Sequence, residues 1–473
     1  MTVSFETWNL LKGILEGVGI FFLIYMIGHA TFLFISVTAG SVKMYTKRRR
    51  DELRNSLSKN YHIPVSIIIP AHNEEVTVTD TVKSLLGLDY ITYEIIVVDD
   101  GSDDDTSGKL IDAFELKKIH RPVLKKLECK PELGVYETFA EKAPLTLVRK
   151  ENGGKADALN MGINVSRYPY FICMDADSVL QSDSLTAIAA SFLENENLVA
   201  AGGIVRPSND VSLSEGKVTG YRLPRNILAC MQVLEYDRTF LASRLLFDTF
   251  NGSMIISGAF GMFKKDVVIA CGGYDTETVG EDMELVVRLH EFCVSNGLPY
   301  KISYVPGAVC WSQVPESFAD LCRQRKRWHA GLMQSLGSHR RIFMNHKFGA
   351  LSFISYLYFL FYELLSPIIE LSGIVTIGLS WALGLINTGF MIEFLLVYAV
   401  YSQVLTLTTF FTRCQVAGLE VSAKDAVKAG ALCFFEVSIL RFLLVFVRFS
   451  AIAGYKKKNL KWGSIRRLKQ EIG

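Results

Sequence analysis

No two of the nine cysteines are close enough to form a C-x-x-C pair; they stand singly at 129, 173, 230, 271, 293, 310, 322, 414 and 433. An odd, scattered set excludes a disulfide framework and a zinc site, and points to a reducing compartment. Charge is also scarce: 21% of the 473 residues are charged, and 50 basic against 48 acidic residues leave a net +2. No global basic field exists to hold nucleic acid, which is not expected as a partner. Twelve prolines and 36 glycines exclude collagen-like or low-complexity material, and no internal repeat is visible. What is abundant is apolar side chain, at 50% of the residues, which excludes disorder and argues against a wholly soluble enzyme.

The apolar residues gather at the two ends. Residues 14–38 contain one acid, Glu16, and one histidine, His29, and are long enough as a helix to cross a core of about 30 Å. The run is too long for a cleaved signal peptide and has no basic segment before it. Seven basic residues follow between Lys43 and Lys59, which places that flank in the cytoplasm and the N-terminus outside. Further apolar stretches lie at 349–387, 391–412 and 429–453. The first, with Glu363, Pro367 and Glu370 at its middle, reads as two spans turning near Pro367. Four spans after the soluble part return the C-terminus to the cytoplasm, where 456–469 carries seven basic residues and no acid. Against this, Arg413, Lys424 and Lys428 would then flank an outer loop. The expected division is 1–61 (helix and basic flank), 62–316 (soluble domain), 317–347 (amphipathic interfacial helix), 348–455 (four spans) and 456–473 (basic tail).

Between the ends, short apolar runs alternate with helical patterns, as in βαβ units around a parallel sheet. PVSIIIP (64–70), EIIVVDDGS (94–102), LTLVRK (145–150) and YFICMDAD (170–177) read as strands. A helix over 74–88 has Asn73 as candidate cap, 120–144 reads as an irregular insertion, and 224–247 reads as a long helix. Ligands of such sheets bind beyond the carboxyl ends of the strands, where the polar clusters fall. Asp175 and Asp177 can hold a divalent cation against a diphosphate, although an isolated D-x-D is more often a solvated turn. Asp99 and Asp100 can accept from a base or ribose, or merely cap a turn. In GGKADALN, Lys155 supplies a compact cation that a plain glycine turn would not need. Glu281 and Asp282 open a helix, where the dipole favours acids and where a general base can sit. Gln324, Arg327 and Trp328 share one helical face, suited to clamping a diphosphate and stacking on a sugar, or to lying in a membrane interface.

Taken in order, PAHNEE (70–75), VVDDGS (97–102), GGKADALN (153–160), DAD (175–177), GED (280–282) and QRKRW (324–328) resemble the membrane-embedded processive family-2 glycosyltransferases. That group comprises cellulose, hyaluronan and poly-N-acetylglucosamine synthases. The resemblance implies an α/β cytoplasmic glycosyltransferase-A (Rossmann-like) domain inserted between transmembrane helices of the plasma membrane. It implies that Glu74, Asp99, Asp100 and Lys155 hold the UDP part of a UDP-sugar, and that Asp175 and Asp177 bind Mg²⁺ or Mn²⁺, with Asp175 also touching the nucleotide. Asp282, beside Glu281, matches the catalytic base, and Gln324, Arg327 and Trp328 match the Q-x-x-R-W set at the acceptor end. GED replaces the TED usual in cellulose synthases and the GDD of hyaluronan synthases. No further cytoplasmic domain follows the last span, so a cyclic-di-GMP-binding module is not expected.

The implied reaction is inverting. Asp282 takes a proton from the acceptor hydroxyl as it attacks the anomeric carbon, and a β-linked polysaccharide grows and leaves through the spans. Glu16, Glu363, Glu370, Glu436, Arg441 and Arg448 are candidates to line that path, or else to pair between helices. UDP-glucose is slightly favoured over UDP-N-acetylglucosamine. The alternatives are non-processive transfer to a lipid carrier and an inactive membrane scaffold.

Overall fold

The computed structural model describes residues 5–55, 62–139, 142–214 and 216–455. A 51-residue helix, α1 (Phe5–Asn55), carries the first apolar run. The α/β part begins with β1 (Val65–Ala71), α2 (Val78–Leu86), β2 (Tyr93–Asp100), α3 (Thr106–Phe114), β3 (Lys117–Ile119), β4 (Glu132–Phe139) and β5 (Pro144–Lys150). It continues with α4 (Lys155–Val165), β6 (Tyr170–Cys173), β7 (Val179–Leu180), α5 (Ser184–Glu194), β8 (Leu198–Pro207) and a hairpin of β9 (Ser212–Ser214) and β10 (Lys217–Gly220). Then come α6 (Ile227–Arg238), α7 (Arg244–Thr249), β11 (Gly261–Lys264), α8 (Lys265–Ala270), α9 (Glu281–Ser295), β12 (Lys301–Ser312) and α10 (Phe318–Ser338). Four helices follow: α11 (Ser366–Ala382), α12 (Thr388–Val416), α13 (Ala423–Phe435) and α14 (Arg441–Ala453).

Ten strands form one sheet in the order β3-β4-β5-β2-β1-β6-β11-β8-β12-β7. Its centre, β5-β2-β1-β6, is parallel, and every residue of β1 and β2 is buried, which is why these strands read as unbroken apolar runs. Ala71 pairs with Asp99, so β1 and β2 end level and deliver their polar tails to one edge. The sheet is mixed rather than parallel throughout, because β11 runs antiparallel between β6 and β8.

Several local expectations are corrected. The segment 120–144 is an irregular insertion only in part: 120–131 has no regular structure, but β4 within it pairs antiparallel with β5, and β3 with β4. An antiparallel strand covered on one face needs few apolar residues, which hides it from a search for apolar runs. Asn73 does not cap α2; Thr77 holds the N-cap position, its hydroxyl donating to Glu74 (2.7 Å) rather than accepting from the helix, and Asn73 takes a left-handed φ of 58°. The Asn73 side chain accepts from the Asp103 backbone N–H, tying the loop after β1 to the loop after β2. The long helix near 224–247 is interrupted by a π-helical turn at Thr239–Ser243.

Among the described residues three helices are long and apolar enough to cross a bilayer: Trp8–Thr46, Thr388–Val416 and Ala423–Ala453. Leu351–Leu364 and Ser366–Ala382 form a pair bent by 52°. This corrects the two separate spans expected around Pro367. At 1.5 Å per residue the halves are about 21 and 25 Å long, each short of a hydrocarbon core of about 30 Å. Pro367 lies in the first turn of α11, where its missing N–H leaves no bond unmade. The described residues thus hold at most three spans after the α/β part rather than four, and the parity argument loses its premise; the basic tail 456–473 lies outside the described residues. Arg413, which seemed to flank an outer loop, instead packs on Asp237 (2.9 Å) and Tyr221 (2.6 Å), while Lys428 donates to the Pro224 carbonyl (2.5 Å). The α12–α13 turn therefore sits on the side of the α/β domain, in keeping with its positive charge.

Candidate active site

The parallel strands bring their polar ends together above the sheet. Asp175 and Asp177 follow β6, and Lys155 opens α4 with its Nζ donating to Asp175 Oδ1 at 2.6 Å. The same ammonium lies 3.5 Å from Glu281 Oε1. Burial acts to lower the Lys155 pKa, but Asp175, Glu281 and Asp282 outweigh it and hold the group above the usual lysine range. Lys155 is therefore a fixed cation. Burial and the neighbouring Asp282 push Glu281 upward, against the pull of Lys155.

Asp282 is gripped by backbone. Its Oδ2 accepts from Gly258 N–H (3.1 Å) and its Oδ1 from Met283 N–H (2.8 Å). A Cβ at Gly258 would stand 2.9 Å from Lys155 Nζ, so a larger residue there would displace the ammonium. Sequence reasoning passed over Gly258, because its role depends on strands brought together from afar.

Asp99 and Asp100 are placed differently. Asp100 accepts from the Gly153 and Gly154 N–H groups (3.0 and 2.7 Å) and from buried Lys150, and it shapes the turn that presents Lys155. Asp99 accepts from Ser102 N–H (2.9 Å) and from the Ser107 hydroxyl. Neither lines the cavity described next.

A single cavity of about 440 Å³ brings the remaining sequence candidates together: Glu74, Lys155, Asp175, Asp177, Glu281, Asp282, Gln324, Arg327 and Trp328 all line it. From there it runs down to His29, Tyr358, Tyr362 and Arg441, which belong to the apolar helices. Of the charged residues proposed for an exit path, Glu363, Glu436, Arg441 and Arg448 line it, whereas Glu16 and Glu370 do not. Glu16 lies 3.8 Å from Lys12 on the exposed face of α1. Glu436 is held in a fork by Arg238 (2.8 and 2.9 Å), the interhelical pairing foreseen as the alternative.

Trp328 is 43% exposed and is braced from behind. The Arg325 guanidinium lies 4.5 Å from its ring centroid, and a two-pronged pair with Glu235 (2.8 Å each) holds that guanidinium. Sequence reasoning missed Arg325 and Glu235; the first sits inside QRKRW, but its partner is 90 residues away, beyond any spacing rule.

The donor set fits a hard divalent cation. Among the described residues no cluster of three or more His, Cys, Asp or Glu forms a protein-only cage. Asp175 and Asp177 supply two carboxylates at a cavity wall, as suits an ion that shares its remaining positions with substrate phosphates and water.

Comparison with known proteins agrees with this geometry. A model of glycosyl transferase family group 2 matches residues 170–413, and one of glycosyl transferase family 2 matches residues 66–127. A poly-β-1,6-N-acetyl-D-glucosamine synthase of Staphylococcus epidermidis is 30% identical over 310 residues, covering 65% of this chain and 64% of its own. A synthase of the same description from Staphylococcus aureus is 30% identical over 314 residues, with the same coverage. The chain thus spans just under two thirds of the length of these relatives. A mannosyltransferase from Pyrobaculum calidifontis, solved with GDP-mannose and Mn²⁺, shares the fold: TM-score 0.50 at 18% identity, covering 83% of this chain and 98% of that one. The α/β part has the glycosyltransferase-A architecture, accompanied by helices apolar enough to span a membrane. With the first of those family models matching more than half of its length, the chain belongs to the family-2 glycosyltransferases.

Proposed function

We propose that this protein is a processive, inverting glycosyltransferase that builds a β-linked polysaccharide from a UDP-sugar and passes it into the membrane. The observation that carries this reading is the continuity of the cavity from Lys155, Asp175 and Asp282 down to His29, Tyr362 and Arg441 among the apolar helices. The relatives favour N-acetylglucosamine as the sugar over the glucose expected from the sequence.

Asp282, oriented by two backbone N–H groups, takes the proton of the acceptor hydroxyl as its oxygen attacks the anomeric carbon. Displacement from the face opposite UDP inverts that carbon and gives the β linkage. Lys155 and Arg327 offer fixed positive charge to the departing diphosphate, and Asp99 and Asp100 support the pocket from behind. Asp175 and Asp177 would hold Mg²⁺ or Mn²⁺, which would supply positive charge to the leaving diphosphate. Trp328 gives the acceptor sugar an apolar face to stack on, and Gln324 brings a buried Oε1 without a partner among the described residues. The apolar helices support the reading of a multi-pass protein of the plasma membrane with its α/β domain in the cytoplasm.

The test is to incubate the purified full chain in lipid with Mn²⁺ and, separately, labelled UDP-N-acetylglucosamine and UDP-glucose. High-mass polymer from UDP-N-acetylglucosamine is the expected outcome. Polymer from UDP-glucose overturns the sugar assignment, a solvent-extractable glycolipid overturns processivity, and absence of UDP release overturns the activity.

A further inference from the structure

Two contacts fasten α10 to the turn that presents Glu281 and Asp282. Gly280, the residue before them, lies against Gly331 on α10: a Cβ on either glycine would come 2.7 Å from the other's Cα. One turn further along α10, Gln334 Oε1 accepts from the Val279 backbone N–H (2.9 Å) and from the Thr278 hydroxyl (3.0 Å). Arg327 and Trp328 lie four and three residues before Gly331, on the turn of α10 that reaches the cavity.

We propose that Gly331 and Gln334 are positioning residues that set the distance between Asp282 and the acceptor-binding turn of α10. The inference rests on the roles proposed above for Asp282 and Trp328. A base must lie within about 2.6–3.2 Å of the proton it removes. Carbon atoms ordinarily pack at about 3.5–4.0 Å, so a methyl at Gly331 forces helix and turn apart by about 1 Å. A misplacement of that size costs about 100-fold in rate even when no reacting group is altered. The glycine pair allows the close approach, and Gln334 fixes its register by using the two donors of the turn.

The test compares the full chain with Gly331→Ala and with Gln334→Met, which keeps the length of the side chain and removes the acceptor. Three quantities are measured: UDP affinity, thermal unfolding, and sugar incorporated per UDP released. We expect Gly331→Ala to incorporate sugar about 10- to 100-fold more slowly. UDP affinity should stay within about twofold, and more UDP should be released per sugar added, because water takes the place of a misaligned hydroxyl. Gln334→Met should move the same ratio less, and it decides the matter if Gly331→Ala does not fold. Slower incorporation at an unchanged ratio, or no slowing in either variant, overturns the inference. A wild-type chain that transfers no sugar overturns the parent reading together with this one.

Discussion

The two ends of the cavity use charge in opposite ways. At the α/β end five carboxylates (Glu74, Asp175, Asp177, Glu281 and Asp282) face the cations Lys155 and Arg327. At the end among the apolar helices the signs nearly balance, Arg238, Arg441 and Arg448 against Glu363 and Glu436, and Arg238 and Glu436 close on each other through two parallel hydrogen bonds. An excess of one sign around a cavity is a place for counter-charge to arrive with a ligand. Charge matched in a fork is wall: it keeps a polar lining among apolar helices at the least cost.

The sharpest way to test this contrast is to change one charge at each end. Asp282→Asn removes the proposed base without changing its size, so sugar transfer should fall by about 10²- to 10⁴-fold while UDP still binds. Transfer at the wild-type rate would remove Asp282 from that role. At the other end, Arg238→Met leaves Glu436 buried and alone, and breaking such a pair costs about 3–5 kcal/mol. The effect should appear as a loss of thermal stability, with UDP affinity unchanged. An unaltered unfolding temperature would mean that the pair is solvated in the folded protein.

A third and smaller effect separates catalysis from scaffold by pH. His339, just after α10, has both ring nitrogens on carboxylates of α9: Nδ1 on Glu291 (2.5 Å) and Nε2 on Glu284 (3.1 Å). Burial acts to lower its pKa, but the two hydrogen-bonded carboxylates outweigh it and raise it above 6.5. Arg288, 2.9 Å from Glu284, and Arg341, 4.0 Å from Glu291, complete the charges nearby. A raised histidine contributes stability that is fully present below the unfolded value of about 6.5 and is lost as pH rises through the folded value. Unfolding temperature should therefore decline with rising pH in the wild type and decline less in His339→Gln. Parallel curves would show that the histidine is neutral in the folded state.

Most motif residues were legible because they follow a strand end or open a helix, and Gln324, Arg327 and Trp328 because their spacing puts them on one face of α10. For Glu74, Lys155, Asp175, Asp177, Glu281, Asp282, Gln324, Arg327 and Trp328 this led to one cavity. For Asp99 and Asp100 it led to residues whose visible partners are Ser102, Ser107 and the Gly153–Gly154 turn, since spacing cannot tell an acid that faces a cavity from one that shapes a loop. The strand β4 was missed because an antiparallel strand covered on one face needs only an occasional apolar residue, such as buried Val135. The break near Pro367 was legible from a proline and two glutamates in the middle of an apolar run, but the 52° angle between the halves was not, because packing sets it.

By itself the chain determined where its apolar residues would hide, hence the buried parallel strands and the helices able to cross a membrane, and which acids would emerge at strand ends. Local periodicity and composition govern those choices. Only the tertiary structure decided that Gly258 would hold Asp282, that Glu235 would brace Trp328 through Arg325, and that Gly280 would meet Gly331. Each of these joins residues far apart in the chain at distances of a few ångströms. Such contacts are set by how whole elements pack, which no window of sequence contains.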